Sequence, residues 1–266
     1  MNTPRPFGNQ LRDWRQRRHL SQLDLAAEVE ISTRHLSFVE TGRSQPSRAM
    51  VLRLAKRLNV PLRERNALLV AAGYAPMYPL RPLSDPAMSA ARAAVDLILI
   101  GHDPFPALLV DRHWSLVAAN SAARHFLAGI DESLLTPPVN VLRLTLHPAG
   151  FAPRIENLAQ WRAHVIARVA RDLELTADAT LADLLTELRG YPGGVADLSE
   201  ETSEFGGVVV PMKFRSDAGL LSLFSTTTVF GTAVEVTLSE LMLEAFYPAD
   251  EMTARLLREL AAGSTA

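Results

Sequence analysis

A chain of 266 residues with 48% hydrophobic side chains is long enough for two domains, and at a mean hydropathy of +0.07 its most apolar stretch, VDLILI at 95–100, is too short to span a bilayer. The absence of cysteine excludes disulfide frameworks and thiolate metal sites, and MNTPRPFGNQ lacks the apolar core of a secretory signal, so a cytoplasmic protein with no membrane partner is expected. Residues 1–80 hold 13 Lys and Arg against 6 Asp and Glu, a balance of +7, while the rest holds 14 against 23, or −9, so the N-terminal end suits a polyanion.

In chain order, residues 9–73 divide into five short helices. LRDWRQRRH is the first. Ser21 with Asp24 three residues on forms a capping pattern for the second. Ser32 caps a third, which Gly42 ends in the left-handed conformation, and Ser47 caps a fourth, RAMVLRLAKRL, closed by Asn59 and Pro61. The fifth, LRERNALLVAA, stops at Gly73. The spacing predicts an all-α domain over residues 1–75. GYAPMYPLRPLSDP, 73–86, carries four prolines and reads as a semi-rigid connector, placed at 76–90. Asp85 and Pro86 fit the N-cap and first position of a helix to about Gly101.

The remaining region, 91–266, mixes element types. PALLVD (106–111) and WSLVAAN (114–120) are strand-like around a turn at Arg112 and His113, and a helix, SAARHFLAG, follows. Helical patterns recur at 157–173 and 179–189. Val208, Val210, Met212 and Phe214 alternate with Val209, Pro211, Lys213 and Arg215, the period of a sheet with unequal faces. LLSLFSTTTVF and AVEVTLSELMLEAFY complete the strands, and a helix spans about 250–261. The expectation is an α+β domain with an antiparallel sheet. His102, Asp103, Asp111 and His113 are poorly spaced for a metal, since the first two are adjacent and Pro104 and Pro106 break any helix there. No G-x-S-x-G, H-E-x-x-H or phosphate-binding glycine loop occurs.

On the third helix Leu36, Val39 and Ser32 share one side, with Thr33, Arg34, Ser37 and Thr41 opposite and Phe38 at the edge. The second helix presents Leu23, Ala26 and Ala27, and small Ala26 permits a close crossing. Two helices on a tight turn, one offering short polar and basic side chains outward, fit a helix-turn-helix whose second helix enters the major groove. LSQLDLA (20–26), ETGR (40–43) and the PS of 46–47 resemble the lambda-repressor-like, or XRE-type, helix-turn-helix family over residues 9–73. The resemblance implies a five-helix DNA-binding head in which Arg15 and Glu40 form a structural ion pair. It implies a phosphate contact for Gln22 and base contacts for Thr33, Arg34 and Ser37, with Ser32 at the same helix start. Arg34 suits guanine O6 and N7. Phe38 has two readings, contact with a thymine methyl or packing under the helix edge. Arg43 and Arg48 flank a helix N-terminus and suit phosphates. The family usually has Gly in the turn, where this chain has Glu30, a departure costing about 1 kcal/mol.

PALLVDRHWSLVAANSAARHFLAG resembles the start of a PAS domain. The chain order, with NVLRLTLHPAGFAPRIENLAQW (140–161) and FSTTTVFGTAVEVTLSELMLEAFYPAD (224–250), is similar to the MmyB-like transcription regulators. That resemblance implies a PAS-like domain enclosing a small apolar ligand, with a fatty acid the best precedent. Arg143 and His147, four apart, would share a helix face able to grip a carboxylate, with pairing of Arg143 to a neighbouring acid as the competing reading. Trp161, Phe224 and Phe230 are candidate pocket walls, with ordinary core as the alternative.

The leading function is therefore a ligand-responsive DNA-binding regulator, a homodimer rather than an enzyme. A second class is a helical protein-interaction adaptor, which the +7 head disfavours. A third is a self-cleaving repressor with a Ser/Lys peptidase site. Lys213 is its sole candidate base after Lys56, and no suitable serine turn precedes it.

Overall fold

The computed structural model describes residues 5–127, 129–194, 210–231 and 235–263. Its backbone gathers into two units. One is residues 1–82 with 174–176 and 232–239; the other is 83–173 with 177–231 and 240–266.

The head of the first unit is five helices, α1 (Phe7–Arg17), α2 (Gln22–Glu28), α3 (Thr33–Glu40), α4 (Arg48–Arg57) and α5 (Leu62–Ala71). Their starts follow from short polar caps. The Ser21 hydroxyl accepts from Asp24 N–H at 3.1 Å while the Asp24 carboxylate accepts from Ser21 N–H at 3.0 Å, a reciprocal capping box. Ser32 and Ser47 accept from His35 and Met50 N–H at 3.1 and 3.3 Å. The stops are left-handed residues, Asn59 at φ +48°, Gly42 at +73° and Gly73 at +83°. Glu30 sits at φ +57° in the turn between α2 and α3, so this turn keeps the left-handed backbone without glycine.

The core holds Leu11, Trp14, Leu25, Leu36, Leu54 and Leu69. On α2 the buried residues are Leu25 and Ala26, whereas Leu23 is 66% exposed and Ala27 is exposed. That corrects the expected stripe of Leu23, Ala26 and Ala27. With Val29 buried just beyond the helix, the stripe follows residues 25, 26 and 29 and leaves Leu23 on the opposite side. Gly8 marks the closest approach of α1 to α3. A Cβ there would lie 2.3 Å from the Glu40 carbonyl oxygen, so only glycine lets the helices meet.

In the second unit Asp85 caps a short 3-10 turn through Ala87 N–H at 2.8 Å, leading into α6 (Ser89–Gly101). Strands β1 (Ala107–Val110) and β2 (Leu116–Ala119) form a hairpin, followed by α7 (Ser121–Arg124). The expected helix SAARHFLAG is only this one α-helical turn plus a 3-10 turn at His125–Leu127. Then come α8 (Val141–Leu146), α9 (Leu158–Thr176) and α10 (Ala179–Gly190), followed by β3 (Met212–Ser216) and β4 (Gly219–Val229). The β-rich stretch expected at 233–247 is a strand only in its second part among the described residues. A four-residue helix, α11 (Val236–Ser239), groups with the first unit, and β5 (Met242–Pro248) and α12 (Glu251–Gly263) follow. The Glu235 carboxylate accepts from Thr237 N–H at 3.2 Å, turning the backbone before the strand begins. The alternation at Val208 and Val209 lies outside the described residues; within them Met212 and Phe214 are buried and Arg215 is exposed.

All strand pairs are antiparallel, in the order β2-β1-β5-β4-β3. This is the expected α+β domain with an antiparallel sheet. Register decides what each face does. Leu108 pairs with Glu244, Ser225 with Phe246 and Met212 with Leu223, so these six side chains share one face of the sheet. Among the described residues no helix is long and apolar enough to cross a membrane.

Candidate nucleic-acid interface and ligand cavity

Helix α3 is anchored from behind and open in front. Leu36 and Val39 are fully buried, contributing roughly 1.5–3 kcal/mol each. Arg34 is exposed, and Thr33 and Ser37 are half-buried beside it. The anchor at its C-terminal end is Glu40, whose side chain is wholly buried. Arg15 donates to both carboxylate oxygens, Nε to Oε1 at 2.7 Å and Nη2 to Oε2 at 3.0 Å, and its Nη1 donates to Leu20 O at 2.8 Å. Burial alone would raise the Glu40 carboxyl, but the hydrogen bonds from Arg15 and Gln22 and the charges of Arg15 and Arg12 outweigh it and hold the carboxyl below its ordinary range.

Gln22, expected at a phosphate, makes a structural bond, its amide donating to Glu40 Oε2 at 2.8 Å. Ser32 is exposed, but its hydroxyl is engaged as the cap of α3. Phe38 is half-buried between two guanidinium groups, with Arg34 5.3 Å and Arg43 5.9 Å from its ring centre. Arg43 and Arg48 are exposed. Sequence reasoning missed the Arg34–Phe38–Arg43 stack; the i, i+4 spacing of Arg34 and Phe38 was the available signal.

The second unit holds two neighbouring, partly open cavities on one face of the sheet. The larger, about 90 Å³, is walled by Leu108, Leu116, Phe126, Leu144, Phe151 and Phe214 among others, and of its lining residues only Thr145 and Trp161 carry a side-chain nitrogen or oxygen. The smaller, about 50 Å³, shares Leu108, Val141, Thr145, Trp161 and Phe246 with it and adds apolar Leu142 and Val165 and, with polar groups, Trp114, His164, Arg168, Ser225 and Glu244. A hydrocarbon-walled chamber thus adjoins a second, mostly apolar one that also carries polar groups, and Trp161 lines both. Arg168 holds Glu244 by two bonds, Nη1 to Oε2 at 3.0 Å and Nη2 to Oε1 at 2.5 Å, and Thr227 Oγ1 donates to the same carboxylate at 2.7 Å. Burial, then the nearby Arg168 charge, pushes the His164 pKa down, so the ring stands neutral above its ordinary 6.5. Trp161 is 5% exposed, and its indole N–H is buried with no hydrogen-bond partner among the described residues, a vacancy that costs about 1–3 kcal/mol.

Of the expected ligand residues only Trp161 lines the cavities. Arg143 does not grip an incoming carboxylate: its Nε and Nη2 donate to Glu187 at 2.6 and 2.7 Å, the competing reading. His147 closes α8, its N–H donating to Arg143 O at 2.9 Å and its Nδ1 accepting from Ala149 N–H at 3.0 Å. Its ring lies 5.1 Å from that of Tyr191, whose hydroxyl donates to Glu187, so it gathers with Arg143 about an internal acid. Phe224 stacks on Tyr247 at 5.5 Å on the opposite face of the sheet, because it pairs one residue out of phase with Leu223 and Ser225. Phe230 lies beyond the end of β4 and lines neither cavity. No comparable sequence signal marks Phe126, Phe151 and Phe214, which come from three separate segments of the chain. His102 and His113 serve the fold, contacting Phe246 O at 2.8 Å and Asp178 at 2.9 Å.

Comparison with known proteins gives two family matches. A helix-turn-helix domain model matches residues 6–68, and a model described as MmyB-like transcription regulator ligand binding domain matches residues 91–260. No curated protein matches the chain. A solved structure described as an RNA-binding light-oxygen-voltage receptor is 13% identical, over 97% of this chain and 64% of that one, with a TM-score of 0.28. The chain therefore spans less than two thirds of that protein.

Proposed function

Because the chain belongs to the MmyB-like transcription regulators, with a helix-turn-helix head and a ligand-binding domain, we propose that α3 reads a double-stranded DNA operator and that a small apolar ligand in the C-terminal cavity biases this binding. The observation that carries the ligand half is the nearly pure hydrocarbon wall of the larger cavity. A fatty acid is the precedent that the family resemblance offers, and its acyl tail is the part that this wall suits. A cavity of about 90 Å³ takes a short acyl chain as it stands, and a longer one requires wall side chains to move. In this reading Thr33, Arg34 and Ser37 face bases, and Gln22, Arg43 and Arg48 meet phosphates, with Ser32 and Phe38 alongside. The protein acts in the cytoplasm as a regulator without catalysis of its own.

A homodimer places two heads on half-sites about one helical turn apart. Helix α6 supports it. Besides its buried residues Val95 and Leu99, α6 exposes Leu97 at 72%, Ile100 at 66% and Ile98 at 42%. The exposed apolar side chains of its N-terminal half are the small ones of Ala90, Ala93 and Ala94, beside Arg92. Antiparallel pairing with a second copy, centred near Ala94, sets each large half against a small half and brings Arg92 toward Asp96 of the partner subunit. Parallel pairing would set large against large and leave a gap at the alanines. Native mass spectrometry is expected to show a dimer that sheds a lipophilic mass on denaturation, and a monomer for Leu97→Glu with Ile100→Glu. A dimer that survives both substitutions would remove α6 from the interface. A chain without bound mass that also takes up no acyl compound would remove the ligand.

A further inference from the structure

The two chambers differ in what they offer a ligand. The larger is a hydrocarbon lining suited to a tail. The smaller carries the polar groups, yet its charges cancel. Arg168 is the one cation among the residues lining either cavity, and both of its terminal nitrogens are committed to Glu244. The Glu244 carboxylate is buried and takes Thr227 as well, so the pair is satisfied and neutral as a unit. The segments outside the described residues contain no Lys or Arg, so no further cation is available from them. A carboxylate brought here would lose its hydration and meet no free positive charge, and it would lie close to the Glu244 carboxylate. Two indole N–H groups at the chambers are buried without a hydrogen-bond partner among the described residues, those of Trp114 and Trp161; Trp114 lines the smaller chamber alone, whereas the Trp161 ring walls both and so meets an occupant of either. The partner that the site leaves room for is an acceptor atom of the occupant.

We propose that the ligand is an uncharged amphiphile, a hydrocarbon tail ending in a neutral acceptor such as an alcohol, ketone, ester or lactone oxygen, which takes the Trp161 N–H, and not a carboxylate anion. This rests on reading the cavity as the ligand site and names the class of ligand it takes. The neutral His164 ring stacked at 5.3 Å on Trp161 holds the indole in place without adding charge.

The test is calorimetric titration of the full chain at pH 8 with n-octanol, methyl octanoate and sodium octanoate, repeated with the fourteen-carbon set. The alcohol or the ester is expected to bind at least about tenfold more tightly than the carboxylate of equal length, in line with the cost of burying an unpaired charge. Trp161→Phe is expected to weaken alcohol and ester about five- to tenfold, the loss of one hydrogen bond. Glu244→Gln, which frees the Arg168 charge, is expected to reverse the preference toward the carboxylate. That gain does not depend on Trp161→Phe folding. A carboxylate that binds wild type more tightly than its ester would overturn the neutral-ligand inference and leave the cavity as an acyl site. No binding by any of the compounds at either length would overturn both readings.

Discussion

Glu40→Ala is expected to destabilise the helical head by about 3–5 kcal/mol, because it leaves the buried Arg15 guanidinium without its counter-charge. In a domain of this size that is a fall of more than about 10 °C in melting temperature. The loss is larger than for a surface pair, since the Glu40 side chain is 0% exposed and that of Arg15 10%. Glu40→Gln keeps an acceptor for Arg15 and should lose less. The pair also fixes an acid limit. The carboxyl is lowered on folding, so its contribution is complete above the ordinary glutamate value of 4.5 and disappears as pH falls through the lower folded value. Circular dichroism melts of both variants, and of wild type from pH 7 to pH 3, check these outcomes. A Glu40→Ala head that melts with wild type would mean that the ion pair does not anchor α3.

The second large effect concerns DNA. Arg34→Ala is expected to weaken binding to a preferred duplex by about 1–3 kcal/mol, roughly five- to 150-fold, and to relax base preference at one position. The substitution also removes the cation over Phe38, so Arg34→Lys, which keeps charge but lacks the planar fork, separates charge from bidentate reading. Arg48→Ala should instead weaken all duplexes about equally and lower the salt dependence by about one phosphate contact. Binding titrations against matched and single-substituted duplexes at two salt concentrations separate these outcomes. If Arg34→Ala leaves both affinity and base preference intact, α3 is not the reading helix.

Much of the head was legible because its punctuation is local. Ser21 with Asp24, Ser32, Ser47, Gly42 and Gly73 each act within one turn of the chain, and each stands where such a residue must stand. Leu23 was misassigned because, over a seven-residue helix, a shift of two positions in the buried stripe exchanges inside for outside. The sheet domain was legible as a class but not as a site. Its cavity is assembled from all five strands by register and from α7, α8 and α9, and a side chain one residue out of phase, such as Phe224, falls on the other face. Arg143 illustrates a different limit. Its partner Glu187 lies 44 residues away on α10, and spacing along the chain could not choose between an internal acid and a ligand.

The central claim, that the exposed face of α3 reads DNA sequence, is tested most directly by selection of the full chain on a pool of random duplexes. The account predicts enrichment of one motif, repeated about one helical turn apart, that Arg34→Ala no longer enriches. A pool that returns without any enriched sequence, from a protein shown to be folded, would contradict it.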